Sequence, residues 1–118
     1  MKIIELKPEF RGRSAQGTSF TGRPEGYSVR SKLKLSELDK DMESYSIQMP
    51  ADTTTFNPSF YLGLLYESIK TLGWKKFKEK YSFDLSNMSS SLRVEILRNL
   101  EDCERKAQNE IEGLTGLD

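Results

Sequence analysis

Residues 57–73 read Asn-Pro-Ser-Phe-Tyr-Leu-Gly-Leu-Leu-Tyr-Glu-Ser-Ile-Lys-Thr-Leu-Gly, and the interpretation of the rest of the chain depends on this stretch. The Asn57 side chain can accept a hydrogen bond from a free N–H group of a first helical turn. Pro58 suits the first helical position, because the N–H that proline lacks has no partner there. Gly73 stands where a helix commonly ends. The residues between them are apolar on most sides, which predicts a buried helix from Pro58 to Leu72.

Gly63 lies inside this predicted helix. A glycine in a helix interior costs about 1 kcal/mol relative to alanine. We therefore expect another backbone to approach the helix closely at Gly63.

Two segments before this helix predict strands of a sheet. Residues 2–6 form a short run rich in β-branched side chains, with Ile4 and Leu6 on one face. Residues 44–49 alternate polar and apolar side chains, which is typical of a central or half-buried strand. The threonine-rich residues 51–56 are expected to cross the end of the sheet.

Further helices are predicted before and after the helix at residues 58–72. One covers roughly residues 24–34, and a short one runs from Trp74 to Tyr81, followed by a brief strand at Phe83 and Leu85. Residues 91–112 show the clearest helical period and predict a C-terminal amphipathic helix. The whole chain, residues 1–118, is thus interpreted as one α/β domain, a small mixed β-sheet with helices packed against it.

Residues 11–26 contain four glycines and three arginines, a composition that predicts a flexible loop with one hairpin strand near residues 18–21. Glycine amides and arginine side chains can hold a phosphate or a carboxylate. The loop is therefore a candidate site for a small anionic ligand, and a surface loop without a ligand is the alternative. The candidate anion-binding residues are Arg11, Arg13, Arg23 and Arg30.

Composition excludes several kinds of chemistry. The chain has no histidine, so a catalytic imidazole and a histidine-ligated metal are excluded, and its one cysteine, Cys103, cannot form an internal disulfide. Cys103 lies on the apolar stripe of the last helix and is interpreted as a core residue. We predict neither a cofactor nor a metal site.

Charge is distributed unevenly, although 18 basic and 18 acidic side chains balance overall. Residues 1–40 carry nine positive and five negative groups, and residues 86–118 carry four positive and seven negative groups. The two ends are expected to attract each other within one fold, and a basic face for an anionic partner is the alternative. A neutral chain lacks the field that nucleic-acid binding requires, which argues against a nucleic-acid partner.

No apolar run approaches the ~20 residues that span a membrane, and the first residues lack the apolar core of a signal peptide. The expectation is a cytoplasmic protein with no membrane partner.

Two segments together resemble a known family. They are Asn57 to Leu65 and the stretch Leu-Gly-Trp-Lys-Lys-Phe-Lys-Glu-Lys-Tyr at residues 72–81. Their order is similar to that of the STAS-like domain family of unknown function from bacteria and their phages, over roughly residues 44–110. The resemblance implies the α/β fold of anti-sigma-factor antagonists. Pro58 occupies the position of the phosphorylated serine in the better-known antagonists, so that only Ser59 remains nearby.

We interpret the chain as a non-enzymatic regulatory module that binds a protein partner at the start of this helix and the adjoining loop. The partner-binding or switch residues are Asn57, Ser59, Phe60 and Tyr61. A helix start stabilises a negative charge such as a phosphate on Ser59, and a serine with only a local hydrogen bond is the alternative.

Three other hypotheses stay open. The protein could be a small phage- or mobile-element-encoded inhibitor that binds or sequesters a host protein or nucleotide. It could be an enzyme that uses serine or carboxylate chemistry. The C-terminal helix could also pair across a homodimer.

Overall fold

The structure is a computed structural model that describes residues 1–14 and 17–114, without the side chains of residues 13, 14 and 114. Its strands are β1 (Lys2–Glu5), β2 (Ser19–Phe20), β3 (Tyr45–Gln48), β4 (Thr55–Phe56) and β5 (Tyr81–Asp84). Its helices are a 3-10 helix (Pro8–Ser14), α1 (Arg23–Leu33), α2 (Leu35–Leu38), α3 (Pro58–Leu72), α4 (Trp74–Lys80) and α5 (Ser90–Leu114). Helices packed on small sheets confirm the predicted α/β class.

Three strands form a sheet in the order β1, β3, β5. Ile4 lies opposite Ile47, and Ile47 lies opposite Phe83. The alternating residues 45–48 therefore form the central strand, as predicted. The pairings are parallel where a mixed sheet was expected, because helical segments separate consecutive strands of this sheet and return the chain to its starting end.

The two faces of this sheet differ in burial. Tyr45, Ile47 and Tyr81 point to the helical side and are buried. On the opposite face Ile3 is 65% exposed and Ser82 is exposed as well. Parallel sheets are usually covered on both faces. This sheet has a core on one face only.

The remaining strands, β2 and β4, pair with each other in parallel, with Phe20 opposite Phe56. The strand expected near residues 18–21 is present, but it belongs to this parallel pair and not to a hairpin. Helix α5 covers the outer side of β4. The Phe56 N–H donates to the Asn99 side chain at 2.9 Å, and the Cys103 thiol donates to the Phe56 carbonyl at 3.5 Å.

Helices α1 and α3 follow these two strands and run side by side. A β-carbon on Gly63 would lie closer than 3.0 Å to the carbonyl oxygen of Arg23. A β-carbon on Gly26 would lie equally close to the carbonyl oxygen of Phe60. The close approach predicted at Gly63 is therefore confirmed, and its partner is the backbone of α1. Because both contacts lie near helix starts, the two first turns share one end of the molecule.

The predicted helices agree with the structure to within about two residues at most ends. Helix α1 ends where Lys34 adopts a left-handed conformation with φ of 57°, and the short α2 follows. Residues 11–26 differ from the prediction. Their described part contains the end of the 3-10 helix, β2 and the start of α1, whereas a flexible loop was expected.

Helix α5 closes the core with a stripe of buried residues: Ile96, Leu100, Cys103 and Ala107. The core assignment of Cys103 is confirmed. Arg23 and Glu110 form an ion pair of 3.0 Å between the basic and the acidic ends of the chain, so the expected attraction is present in the fold. Within the described ranges, no helix has both the length and the apolar character needed to cross a bilayer.

Candidate functional site at the start of α3

The first turn of α3 is built as the sequence predicted. The Asn57 backbone is extended, with φ of −92° and ψ of 163°, and its side chain accepts a hydrogen bond from the Phe60 N–H at 2.9 Å. Pro58 takes the first helical position. The Asn57 N–H donates to the Phe20 carbonyl at 3.1 Å, which ties the start of the helix to β2. This turn is therefore held rigidly at the end of the β2–β4 pair.

The four predicted partner-binding residues are divided between surface and core. Ser59 is exposed, and Asn57 is half-buried. Phe60 and Tyr61 are 0% and 1% exposed, respectively. The Phe60 ring packs edge-on against Phe20, with the ring centroids 5.1 Å apart. The prediction that Phe60 offers its side chain to a partner on the surface is therefore corrected, because the aromatic ring belongs to the core.

Tyr61 is also a core residue and not the surface contact that was predicted. Its ring stacks on Phe83 with a centroid distance of 6.3 Å. Burial raises the pKa of the Tyr61 hydroxyl above its usual range. Both aromatic side chains of this first turn are buried, because α1 covers one side of α3 and α5 covers the other.

The predicted anion-binding arginines lie at separate places. Arg11 is buried in the core and donates to Asp52 at 2.8 Å, to Thr53 at 3.1 Å and to the Gly17 carbonyl at 2.9 Å. Its guanidinium carbon lies 4.9 Å from the centroid of the Phe20 ring. The hydrogen bond from Arg11 lowers the pKa of the Asp52 carboxyl. Arg11 thus fastens the 3-10 helix to the connection between β3 and β4.

Arg30 forms a buried ion pair with Asp39 at 2.9 Å, whereas the Asp52 partner of Arg11 is exposed. The same guanidinium donates to Ser68 at 2.7 Å and to the Leu64 carbonyl at 3.0 Å. Asp39 also accepts hydrogen bonds from Ser68 and from the Tyr81 hydroxyl at 2.9 and 2.7 Å. Ion pairs buried in this way are retained only where hydrogen bonds satisfy the remaining donors and acceptors. Arg30 is therefore a structural residue that joins α1, α3 and β5.

Arg23 lies on the surface at the start of α1 and makes two hydrogen bonds with the Glu110 carboxylate, of 3.1 and 3.0 Å. The pKa of Arg23 is raised, mainly through this hydrogen bond. The side chain of Arg13 lies outside the described residues. Arg11, Arg23 and Arg30 each face a carboxylate of the same chain, and the fold does not bring them together. The prediction that they form one anion-binding loop is corrected for these three residues.

A cluster that sequence reasoning missed joins the chain before β3 to the end of α4. Lys80 donates to the Asp41 carboxylate at 2.7 Å and to the Asp41 and Glu43 carbonyls at 2.8 Å each. The Tyr45 hydroxyl also donates to Asp41. The hydrogen bonds from Lys80 and Tyr45 lower the pKa of Asp41 to about 2, and the bond to Asp41 raises the pKa of Tyr45 to about 12.

No local pattern could have identified this cluster, because Asp41 and Lys80 are 39 positions apart. The same holds for Ser68 and Tyr81, which reach Asp39, the partner of Arg30, only after the helices have packed. In both clusters the charged groups pair with residues of the same chain, so both clusters stabilise the packing of the elements that they join. Within the described residues, no group of histidine, cysteine and acidic side chains could hold a metal ion.

Comparison with known proteins gives no relative of this chain: no family model, no curated protein and no solved structure matches it.

Proposed function

We propose that this protein is a non-enzymatic regulatory module of the STAS-like type that binds a protein partner at the start of α3. The observation that carries the proposal is the position of Ser59. It is exposed in a first helical turn whose backbone is held by Asn57 and by the neighbouring helix α1. A rigid turn binds a partner with little loss of conformational entropy.

The surface available to a partner is narrower than residues 57–61. It consists of Ser59 with the half-buried Asn57 and Pro58, and Arg23 stands at the start of the adjacent helix α1. Free N–H groups at the first turns of two neighbouring helices favour an acidic group of the partner, or a phosphate on Ser59.

The arrangement of charged groups supports binding over catalysis. Acid–base catalysis needs a group whose proton is available at a pocket. The buried charges found here, Arg11, Arg30 and Asp39, are each engaged by several hydrogen bonds to residues of the same chain. The resemblance of residues 44–110 to a family with the fold of anti-sigma-factor antagonists supports a regulatory role in the same direction.

The experiment is affinity purification of the tagged protein from its native host, followed by mass spectrometry, with Ser59→Asp as the test variant. Thr71→Asp is the matched control, because Thr71 is exposed at the other end of the same helix. Aspartate in a first turn interacts favourably with the helix dipole, so a loss of binding in Ser59→Asp does not reflect unfolding. We expect one partner to be recovered with wild type and with Thr71→Asp but lost with Ser59→Asp.

Equal recovery with Ser59→Asp would show that the start of α3 is neither the contact nor the switch. A rise in melting temperature with one member of a nucleotide panel would favour the alternative role, a small inhibitor that sequesters a nucleotide.

A further inference from the structure

Among the residues that the structure describes, no strand pairs with the outer edge of β5. In the parallel ladder with β3, the Met49 N–H donates to the Asp84 carbonyl at 3.1 Å, so Asp84 and Ser82 direct their backbone groups toward β3. Because successive residues of a strand alternate in direction, the N–H and C=O of Phe83 point away from the sheet. The outer side of β4, by contrast, is covered by Asn99 and Cys103.

A groove of about 300 Å³ lies along this outer edge, between β5 and the middle of α5. Its apolar lining comes from α3, α4, β5 and α5, and consists of Tyr61, Phe77, Tyr81, Phe83, Leu97 and Leu100. Leu97 is 47% exposed, and Val94, one turn earlier on α5, is 49% exposed. The groove therefore combines unpaired backbone groups with an apolar surface that reaches solvent.

The charge along the α5 side of the groove is negative. Glu101 is exposed and forms no ion pair within the described part of the chain, and Glu104 is paired with Lys78 across the groove. A basic side chain of an incoming molecule would find its counter-charge at Glu101.

We infer that this groove binds an extended segment of a partner protein, which adds to β5 as a further strand. The backbone of this segment hydrogen-bonds with the N–H and C=O of Phe83. Alternate apolar side chains of the segment lie against Tyr61 and Leu97, and one of its basic side chains pairs with Glu101. Recognition of this kind draws affinity from main-chain hydrogen bonds and specificity from pockets for alternate side chains. The inference concerns a surface other than Ser59 and does not rest on the proposed function.

The test measures the affinity of a labelled peptide by fluorescence polarisation. The peptide has about eight residues, in which alternating valine and threonine are followed by one lysine. A second peptide carries glutamate in place of lysine, and a third carries methyl groups on alternate backbone nitrogens. The variant is Glu101→Lys, and the matched control is Glu95→Lys, an exposed glutamate of the same helix outside the groove. Thermal unfolding verifies that both variants fold.

We expect the lysine peptide to bind about three- to fivefold more tightly than the glutamate peptide, the range of an exposed ion pair. Glu101→Lys should reverse this preference, and Glu95→Lys should leave it unchanged. Methylation should weaken binding about tenfold or more, since it removes main-chain hydrogen bonds.

Failure of the lysine peptide to bind, equal binding of the methylated peptide, or an unchanged preference in Glu101→Lys would each overturn the inference. So would sedimentation showing a dimer that Leu97→Glu dissociates, because the groove would then be an interface between two copies of this chain.

Discussion

Gly63 on α3 packs directly against the carbonyl of Arg23 on α1, with no room for a β-carbon between the two helices. The reciprocal contact, Gly26 against Phe60, lies one turn away. These contacts set the distance between the helices and bring their first turns to the same end of the molecule. The proposed partner surface depends on this packing.

Replacing Gly63 by alanine should therefore destabilise the protein. The added methyl group meets backbone, which cannot rotate away, so we expect an overpacking cost near or above about 3 kcal/mol, which outweighs the roughly 1 kcal/mol of helix propensity gained. The measurement is urea denaturation followed by circular dichroism. The control is Gly113→Ala, because Gly113 lies in α5 with open space around it and the substitution should be neutral or slightly stabilising. A neutral Gly63→Ala would refute the close packing.

Asp39→Asn should be one of the most damaging single substitutions. It leaves the buried Arg30 guanidinium without its counter-charge, which typically costs about 3–5 kcal/mol. Glu67→Gln is the control, since Glu67 pairs with Lys70 on the surface and its loss should cost no more than about 1 kcal/mol. Equilibrium denaturation of both variants gives the comparison. A cost for Asp39→Asn as small as that of the control would mean that the Arg30 network contributes nothing to folding.

Stability should fall in acid partly through Asp41. The folded state lowers its pKa from 3.8 to about 2, so the unfolded chain binds a proton first as the pH falls. The stabilisation that the ionised Asp41 carboxyl gives to the folded state is thus complete above about pH 4 and is lost as the pH falls through about 2. Asp41→Asn should flatten the dependence of unfolding free energy on pH in this window.

The control for Asp41 is Glu79→Gln, because Glu79 is an exposed carboxyl that lines a surface pocket together with Asp41. It should retain the wild-type dependence on pH between about pH 4 and about pH 2. If Asp41→Asn and wild type show the same slope there, the Lys80–Asp41 cluster does not hold in solution.

The Cys103 thiol should resist labelling in the folded protein. Burial raises its pKa to about 12, and its proton is directed to the Phe56 carbonyl. Because the thiolate is the reactive form, a disulfide reagent at neutral pH should modify Cys103 only after unfolding. Adding an exposed thiol on the same helix, Lys106→Cys, should give one rapidly labelled site beside the protected one. Rapid labelling of both thiols would show that α5 does not cover β4 as described.

Local sequence determined the elements of this protein. Asn57, Pro58 and Gly73 mark the ends of α3 because capping and the missing proline N–H act within one helical turn. The alternation of residues 44–49 indicated a half-buried strand for the same reason, since the period of two is a local property of a strand. Even the close contact at Gly63 was predictable, because a glycine inside an apolar helix needs a packing reason.

Only the tertiary structure decided which residues reach the surface and which are buried. Phe60 and Tyr61 lie in the first turn of α3 together with Ser59, yet the Phe60 ring packs against Phe20 of β2 and the Tyr61 ring stacks on Phe83 of β5, while the serine stays exposed. Arg11 and Arg30 were grouped with Arg23 by composition, but Arg11 is buried beside Asp52, 41 positions away, and Arg30 is buried in a network with Asp39 that Ser68 and Tyr81 complete from distant segments. Ion pairs and strand edges depend on which segments pack together, and a pattern confined to neighbouring residues does not specify which distant segments these are.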